Sequence, residues 1–204
     1  RPHSKNIEAG HCAGFIFARR PSKLNPMLDQ FFLQIESDLE LTEPLKVALS
    51  KIAQPLQLKK GDHFIQEGEF HNRLGYVFEG LMMYYTLKDG REMPLDFAWE
   101  GWWMTHTESL WSGEPASLSI VALEDTRVIR IQLSDLISLA GRFPQLMGYQ
   151  QKNTDRSMVI LANHARSMVE LNATERYEKF VRERPELVQR LPQYYLAAYL
   201  GIRP

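Results

Sequence analysis

The sequence predicts an α+β fold: two helices, then antiparallel strands closed as a roll or barrel, then one long helix and a small helical unit. Three observations carry this. From Pro55 onward, short segments rich in β-branched and aromatic residues are separated by turns at Lys60-Gly61-Asp62, Glu67-Gly68-Glu69, Glu79-Gly80 and Asp89-Gly90. Pro144 to Leu171 has no internal glycine except Gly148 and no proline after its first turn. The stretch LPQYYLAAYLGIRP (191–204) reads as a helix, a glycine turn and the start of another helix.

Residues 1–26 are mixed in character and show no periodicity; with Met27 as a native start, they form an upstream extension or a remnant of cloning. Met27 opens LDQFFLQIESDL, where Leu28, Phe31, Phe32, Ile35 and Leu39 fall on one helical face. Thr42 caps a second helix, TEPLKVALSKIA, that begins near Pro44. Strand segments follow at LGYVFEG, LMMYYTL, REMPLDFAW, ASLSIVAL and TRVIRIQL, with one or two helical turns between Trp103 and Trp111. Ser134 begins a short helix.

Pro144 to Leu171 is then one helix. Met147, Gln151, Thr154, Met158, Leu161, Ala165 and Met168 recur at alternating spacings of four and three, a heptad seam that is apolar in its second half. Such a helix is too long for a small roll to cover, so a self-pairing interface, a homodimer, is expected along the seam. Asn172 caps TERYEKFVRERP, Pro185 stops it, and ELVQR leads into Gln193 to Leu200.

Composition excludes several classes. The chain of 204 residues is 44% hydrophobic and 24% charged, with net charge −1, and no apolar run approaches the roughly 20 residues that cross a membrane. AGFIFA (13–18) is shorter than the roughly 7–15 apolar residues of a signal-peptide core. Cys12 is the only cysteine, which rules out an internal disulfide and a cysteine-ligated iron–sulfur cluster. A cytoplasmic protein without a membrane partner is expected. Charge is uneven: residues 1–140 carry 14 Lys+Arg against 19 Asp+Glu, whereas residues 141–204 carry 10 against 6. A basic end on an acidic body fits a polyanion partner for that end.

The order of elements, together with LKKGDHFIQEGEFHNRLGYVFEGLMMYYTLKDGRE (58–92), ALEDTRVIRIQLSDL (122–136), ATERYEKFVRERPEL (173–187) and PQYYLAAYLGIRP (192–204), resembles the Crp/Fnr family of bacterial transcription regulators. The resemblance implies an antiparallel double-stranded β-helix (β-roll) of the cyclic-nucleotide-binding type at 27–142. It implies a dimerisation helix at 143–171 and a truncated winged helix-turn-helix at 172–204. It also implies double-stranded DNA as a partner, a small-molecule effector, and continuation past Pro204 into a recognition helix. Under it Gln193, Tyr194, Tyr195 and Arg203 are the candidate DNA-binding residues, and one of the two tyrosines is expected to pack inside the small domain.

The family members that bind cyclic AMP hold its phosphate on a stretch opening Gly-Glu-Leu and on a following arginine-serine pair. Those positions align here with Thr105-His106-Thr107 and Ala116-Ser117, so both the carboxylate and the arginine are missing. A buried phosphodiester needs backbone N–H donors and a fixed cation, so cyclic AMP binding in the usual way is not expected. The candidate effector pocket is instead aromatic: Phe97, Trp99, Trp102, Trp103 and Trp111, with Glu100, Gly101, His106, Glu114, Ala116 and Ser117 as its other members. Core packing of a roll wall is the competing reading of the same aromatic residues.

Two other functions compete. A cupin-like metal enzyme would use His63, Glu67 and His71, but His63 lacks a partner two residues away and Glu67 falls on a glycine turn. No nucleophile elbow, phosphate-cradling loop or CxxC pair is present, so no catalytic residue, metal or cofactor is assigned. A sensing or dimerisation module without DNA binding is the second alternative.

Overall fold

The structure, a computed structural model, describes residues 25–202. Asn25 caps α1 (Pro26–Ile35) by accepting the Met27 N–H at 3.0 Å. Periodicity predicts this helix as far as Leu39, yet it stops at Ile35; the chain turns there and still buries Leu39 against the same core. In α2 (Glu43–Ile52), Thr42 contributes its carbonyl to the Lys46 N–H rather than a side-chain cap.

The strands are β1 (Gln54–Leu58), β2 (His63–Ile65), β3 (Arg73–Glu79), β4 (Met82–Lys88), β5 (Arg91–Ala98), β6 (Trp103–Met104), β7 (Ser119–Ala122) and β8 (Thr126–Gln132). They form two antiparallel sheets, ordered β1-β8-β3-β6 and β2-β7-β4-β5. The segment ASLSIVAL is strand only at Ser119–Ala122, and β5 ends before Trp99, where a turn through Gly101 leads into β6. The turns of α3 (Thr107–Ser112) lie where they are predicted.

Neighbouring residues on a strand point to opposite faces, and here both faces of the roll's sheets are covered. In β3, Leu74, Tyr76 and Phe78 pack under α1, α2, α4 (Leu133–Ala140) and the start of α5 (Gln145–Glu170), whereas Val77 points into the roll. The space between the sheets is filled by Phe64, Ile65, Met82, Ala98, Met104, Ile120 and Val128, among others. On the outer face of the second sheet, Leu81, Met83, Tyr85, Phe97 and Val121 meet α6 (Ala173–Glu183), α7 (Pro185–Val188) and α8 (Gln193–Tyr199). Three cores are therefore stacked across two sheets, with helices outermost on both sides. The antiparallel β-roll with flanking helices and a long helix is the fold the sequence predicts.

α5 has 26 residues and spans about 39 Å at its 1.5 Å rise per residue. Asn172 caps α6 as predicted: its side chain accepts the Glu175 N–H at 3.1 Å and the Glu175 carboxylate accepts the Asn172 N–H at 2.8 Å.

Gly80 makes the tightest approach in the roll. Its φ is +114°, and a Cβ there would lie 2.4 Å from Thr126 Oγ1 and 2.7 Å from Thr126 Cα. Gly80→Ala is expected to lose about 2–3 kcal/mol in urea denaturation through strain and backbone displacement. Gly90→Ala, at a hairpin tip with nothing within 4 Å, carries the backbone term alone and loses less.

Candidate functional site

His106 sits at the start of α3, buried to 6% exposure. Its Nδ1 accepts the Ser109 N–H at 3.3 Å, which puts a ring proton on Nε2, 3.2 Å from Ser117 Oγ. The Ser117 hydroxyl in turn donates to Glu108 Oε2 at 3.3 Å. The chain His106 to Ser117 to Glu108 contains the residue types of a hydrolase triad in the wrong order. The imidazole donates to the serine rather than accepting from it, and the carboxylate is on the serine instead of Nδ1. His71 lies beside it, ring centroids 6.3 Å apart, with both ring nitrogens buried and without hydrogen-bond partners. Burial foremost, then the Arg73 and His106 charges, lowers the His71 pKa and keeps that ring neutral.

His106 and Ser117 align with the phosphate-holding stretches of the cyclic-AMP-binding regulators, and the groups here do not suit a phosphate. The Ala116 methyl is buried in the core between the sheets. The Ser109 N–H in the first turn of α3 is taken by His106 Nδ1, and the Glu108 carboxylate stands within reach of the Ser117 hydroxyl.

The aromatic residues of the predicted pocket do not converge. Phe97 faces outward and meets Tyr199 edge-on at 5.2 Å. Trp103 belongs to the helix-covered core, packs against Phe31 and Tyr76, and donates its indole N–H to Tyr149 Oη at 2.8 Å. Trp111, at the end of α3, is 87% exposed. Glu114 is also exposed, with its backbone carbonyl bound by Ser109 Oγ. Only Trp99 and Trp102 stay together, 4.8 Å apart across the Glu100-Gly101 turn. His63 bonds Tyr85 Oη at 2.8 Å, and among the described residues no three His, Cys, Asp or Glu side chains gather around a common point.

Glu100 does something else. Its carboxylate accepts both Arg190 Nη groups at 3.0 Å and the Gly80 N–H at 2.8 Å, and Arg190 Nη2 also reaches Glu124 Oε1 at 2.6 Å. Arg190 thus clasps the loop after α7 to two separate turns of the roll. Burial alone would raise the Glu100 carboxyl, but Arg190 and the Gly80 N–H outweigh it and hold the group below the ordinary carboxylate range. Farther along the same seam, Tyr195 donates its hydroxyl to Glu92, and Arg184 Nη1 lies 3.6 Å from Asp96 Oδ1.

Of the candidate DNA-binding residues, Gln193 and Tyr194 are exposed, whereas Tyr195 is buried against the roll. Arg203 lies outside the described residues. On α5, the seam residues Met147, Met158 and Leu161 are 63%, 65% and 60% exposed, Met168 is 40% exposed, and Ala165 is exposed beside them. The opposite face, through Arg156, Ile160, Asn163, His164 and Ser167, looks toward Trp99, Trp102 and the C-terminal helices.

Residues 55–143 match the family model of the cyclic nucleotide-binding domain. Among solved structures the chain is similar to FixK2 from Bradyrhizobium japonicum, at TM-score 0.64 and 23% identity over 74% of this chain and 78% of that one. It is similar to a mutant of CooA from Carboxydothermus hydrogenoformans, at TM-score 0.54 and 18% identity over 74% of this chain and 93% of that one. It is also similar to CLP, a c-di-GMP responsive global regulator from Xanthomonas campestris, at TM-score 0.57 and 13% identity over 67% and 69% of the two chains. At these identities the likeness establishes the fold. No match is found among curated protein sequences. No described helix is long and apolar enough to cross a membrane.

The Arg190 contacts make a pH-dependent prediction. Because the folded pKa of Glu100 lies below its unfolded value, its stabilisation is present above the unfolded pKa and lost as pH falls through the folded one. At neutral pH, Arg190→Gln is expected to weaken hydrogen-exchange protection of α6–α8 by about 1–2 kcal/mol, the charge-assisted bonds being partly screened by solvent. Acidification should shrink the difference between variant and wild type. Equal protection at neutral pH would show that the clasp contributes nothing.

Proposed function

We propose that this chain belongs to a Crp/Fnr-type transcription regulator that works as a homodimer on double-stranded DNA. In this reading residues 27–142 are the sensing roll, 143–171 the dimerisation helix and 172–204 part of a helix-turn-helix domain, with 1–26 an N-terminal extension whose last two residues, Asn25 and Pro26, open α1. The observation that carries it is the seam on α5. Met147, Met158, Leu161, Ala165 and Met168 keep a heptad spacing on an exposed face, Met168 alone also meeting Gly201. An apolar stripe continuous over three turns of an exposed helix is accounted for by a second copy of that helix.

The roll supports sensing without cyclic AMP. Ala116 and Ser117 offer no cation, Glu108 adds a negative charge, and the interior between the sheets is filled by side chains. An effector of other chemistry would act by favouring one of two arrangements of the C-terminal helices on the roll. In that scheme the DNA side is served by exposed Gln193 and Tyr194 and by the basic charge of residues 141–204. No residue is assigned a catalytic role.

Two outcomes test this. Met158→Asp or Leu161→Asp places an unpaired charge in the seam and is expected to shift the protein from dimer to monomer in sedimentation velocity, with an unchanged circular dichroism spectrum. A wild-type monomer, or a variant that remains a dimer, contradicts the pairing. Titration calorimetry with millimolar cyclic AMP is expected to give no binding heat; a saturable isotherm overturns the reading of Ala116, Ser117 and Glu108.

A further inference from the structure

A cavity of about 350 Å³ lies away from His106 and Ser117, where α5, α6, α8 and the Trp99–Trp102 turn meet. Its volume is within the range of small-molecule sites, roughly 300–1,000 Å³. Two kinds of group line it. Trp99 and Trp102 stand 4.8 Å apart on one side, and the His164 ring stacks on Tyr199 at 4.2 Å with planes within 17° on another. Arg156, Arg176, Lys179 and Arg184 supply positive charge against Glu183 and Glu186, both of which are exposed.

Three of these four cations are not neutralised within the fold. Among the described residues, none of Arg156, Arg176 and Lys179 has a carboxylate within ion-pair distance. Arg176 is spent on the Leu171 and Leu200 carbonyls at 2.6 and 2.7 Å. Lys179 gives one proton to Ser167 Oγ at 2.6 Å and has two left. Arg156 rests on the Trp102 face, 3.9 Å from its centroid, with no hydrogen bond at all among those described. Arg184 Nη1 is buried without a hydrogen bond, and its ion-pair partner is Asp96 Oδ1 at 3.6 Å. Uncompensated cations held around a half-apolar cleft disfavour an empty site and favour an anion in it.

We propose that this cavity binds a small aromatic anion, a flat ring carrying a carboxylate or a phosphate. The ring lies among Trp99, Trp102 and Tyr199, and the anionic group meets Lys179 and Arg156. Because the walls come from the roll, the long helix and the C-terminal helices, an occupant bridges all three. The assignment does not rest on the DNA-binding reading, and a monomer could carry the site equally well.

The test is a set of titrations of the whole chain, followed by tryptophan fluorescence and calorimetry, with 4-nitrobenzoate, adenosine 5′-monophosphate and the uncharged 4-nitrobenzamide. One or both anions are expected to bind with one-to-one stoichiometry and to weaken as salt rises, the amide at least tenfold more weakly. The anion that binds tells carboxylate from phosphate recognition. Arg156→Gln and Lys179→Gln are each expected to lower its affinity about tenfold, whereas Arg166→Gln, whose partner is Glu170, leaves it unchanged. Should Lys179→Gln fail to fold, Arg156→Gln and the salt dependence of the wild type decide. No binding by either anion at millimolar concentration overturns the proposal, and so does equal binding of the amide or an unaltered affinity in Arg156→Gln.

Discussion

Met82 and Met83 are adjacent in β4 and both wholly buried, yet they serve different cores. Met82 fills the space between the two sheets, and Met83 packs outward under the C-terminal helices. The same division runs through β3, where Tyr76 and Val77 point to opposite sides. Covering both faces of both sheets is the constraint on which the rest depends. It requires helices on two sides, so the chain has to carry α1, α2 and α4 to one face and α6–α8 to the other. α5 is the span that makes the second delivery.

That constraint explains which features were legible in the sequence. The glycine turns mark the hairpins because Gly80 and Gly90 adopt positive φ angles that other residues rarely take. Asn172 with Glu175 marks the start of α6 because a capping box is a local, reciprocal pair. The heptad seam reads directly because helical spacing is itself local. Strand edges read less well. LMMYYTL and LGYVFEG do not alternate, since both faces are buried, so periodicity carries no boundary.

The site is where local reading falls short. Phe97, Trp99, Trp102 and Trp103 are near in sequence, but strand parity and the Gly101 turn send them to three separate environments. Counting alternation from Ala98, which faces the interior, places Phe97 outside and would have separated it from the pocket. The contacts of Trp103 with Tyr149, and of Arg190 with Glu100 and Glu124, join residues far apart along the chain and leave no local trace. The excess charge of residues 141–204 is visible in composition, but its concentration at one cavity depends on α5 and α6 presenting Arg156, Arg176 and Lys179 toward each other.

α5 joins these parts because its two faces differ. One face, through Ile160, Asn163 and Ser167, closes the cavity against the roll and the C-terminal helices; the other, through Met158, Leu161 and Ala165, is the proposed seam. The most direct measurement is oxidative cross-linking in a Cys12→Ser background, comparing Leu161→Cys with Asn163→Cys. A parallel helix pair brings the two sulfurs at 161 within disulfide reach and keeps those at 163 on opposite outer faces. Rapid dimer cross-linking at 161 and little at 163 is the predicted result. Cross-linking at 163, or none at 161, would contradict the assignment of the two faces.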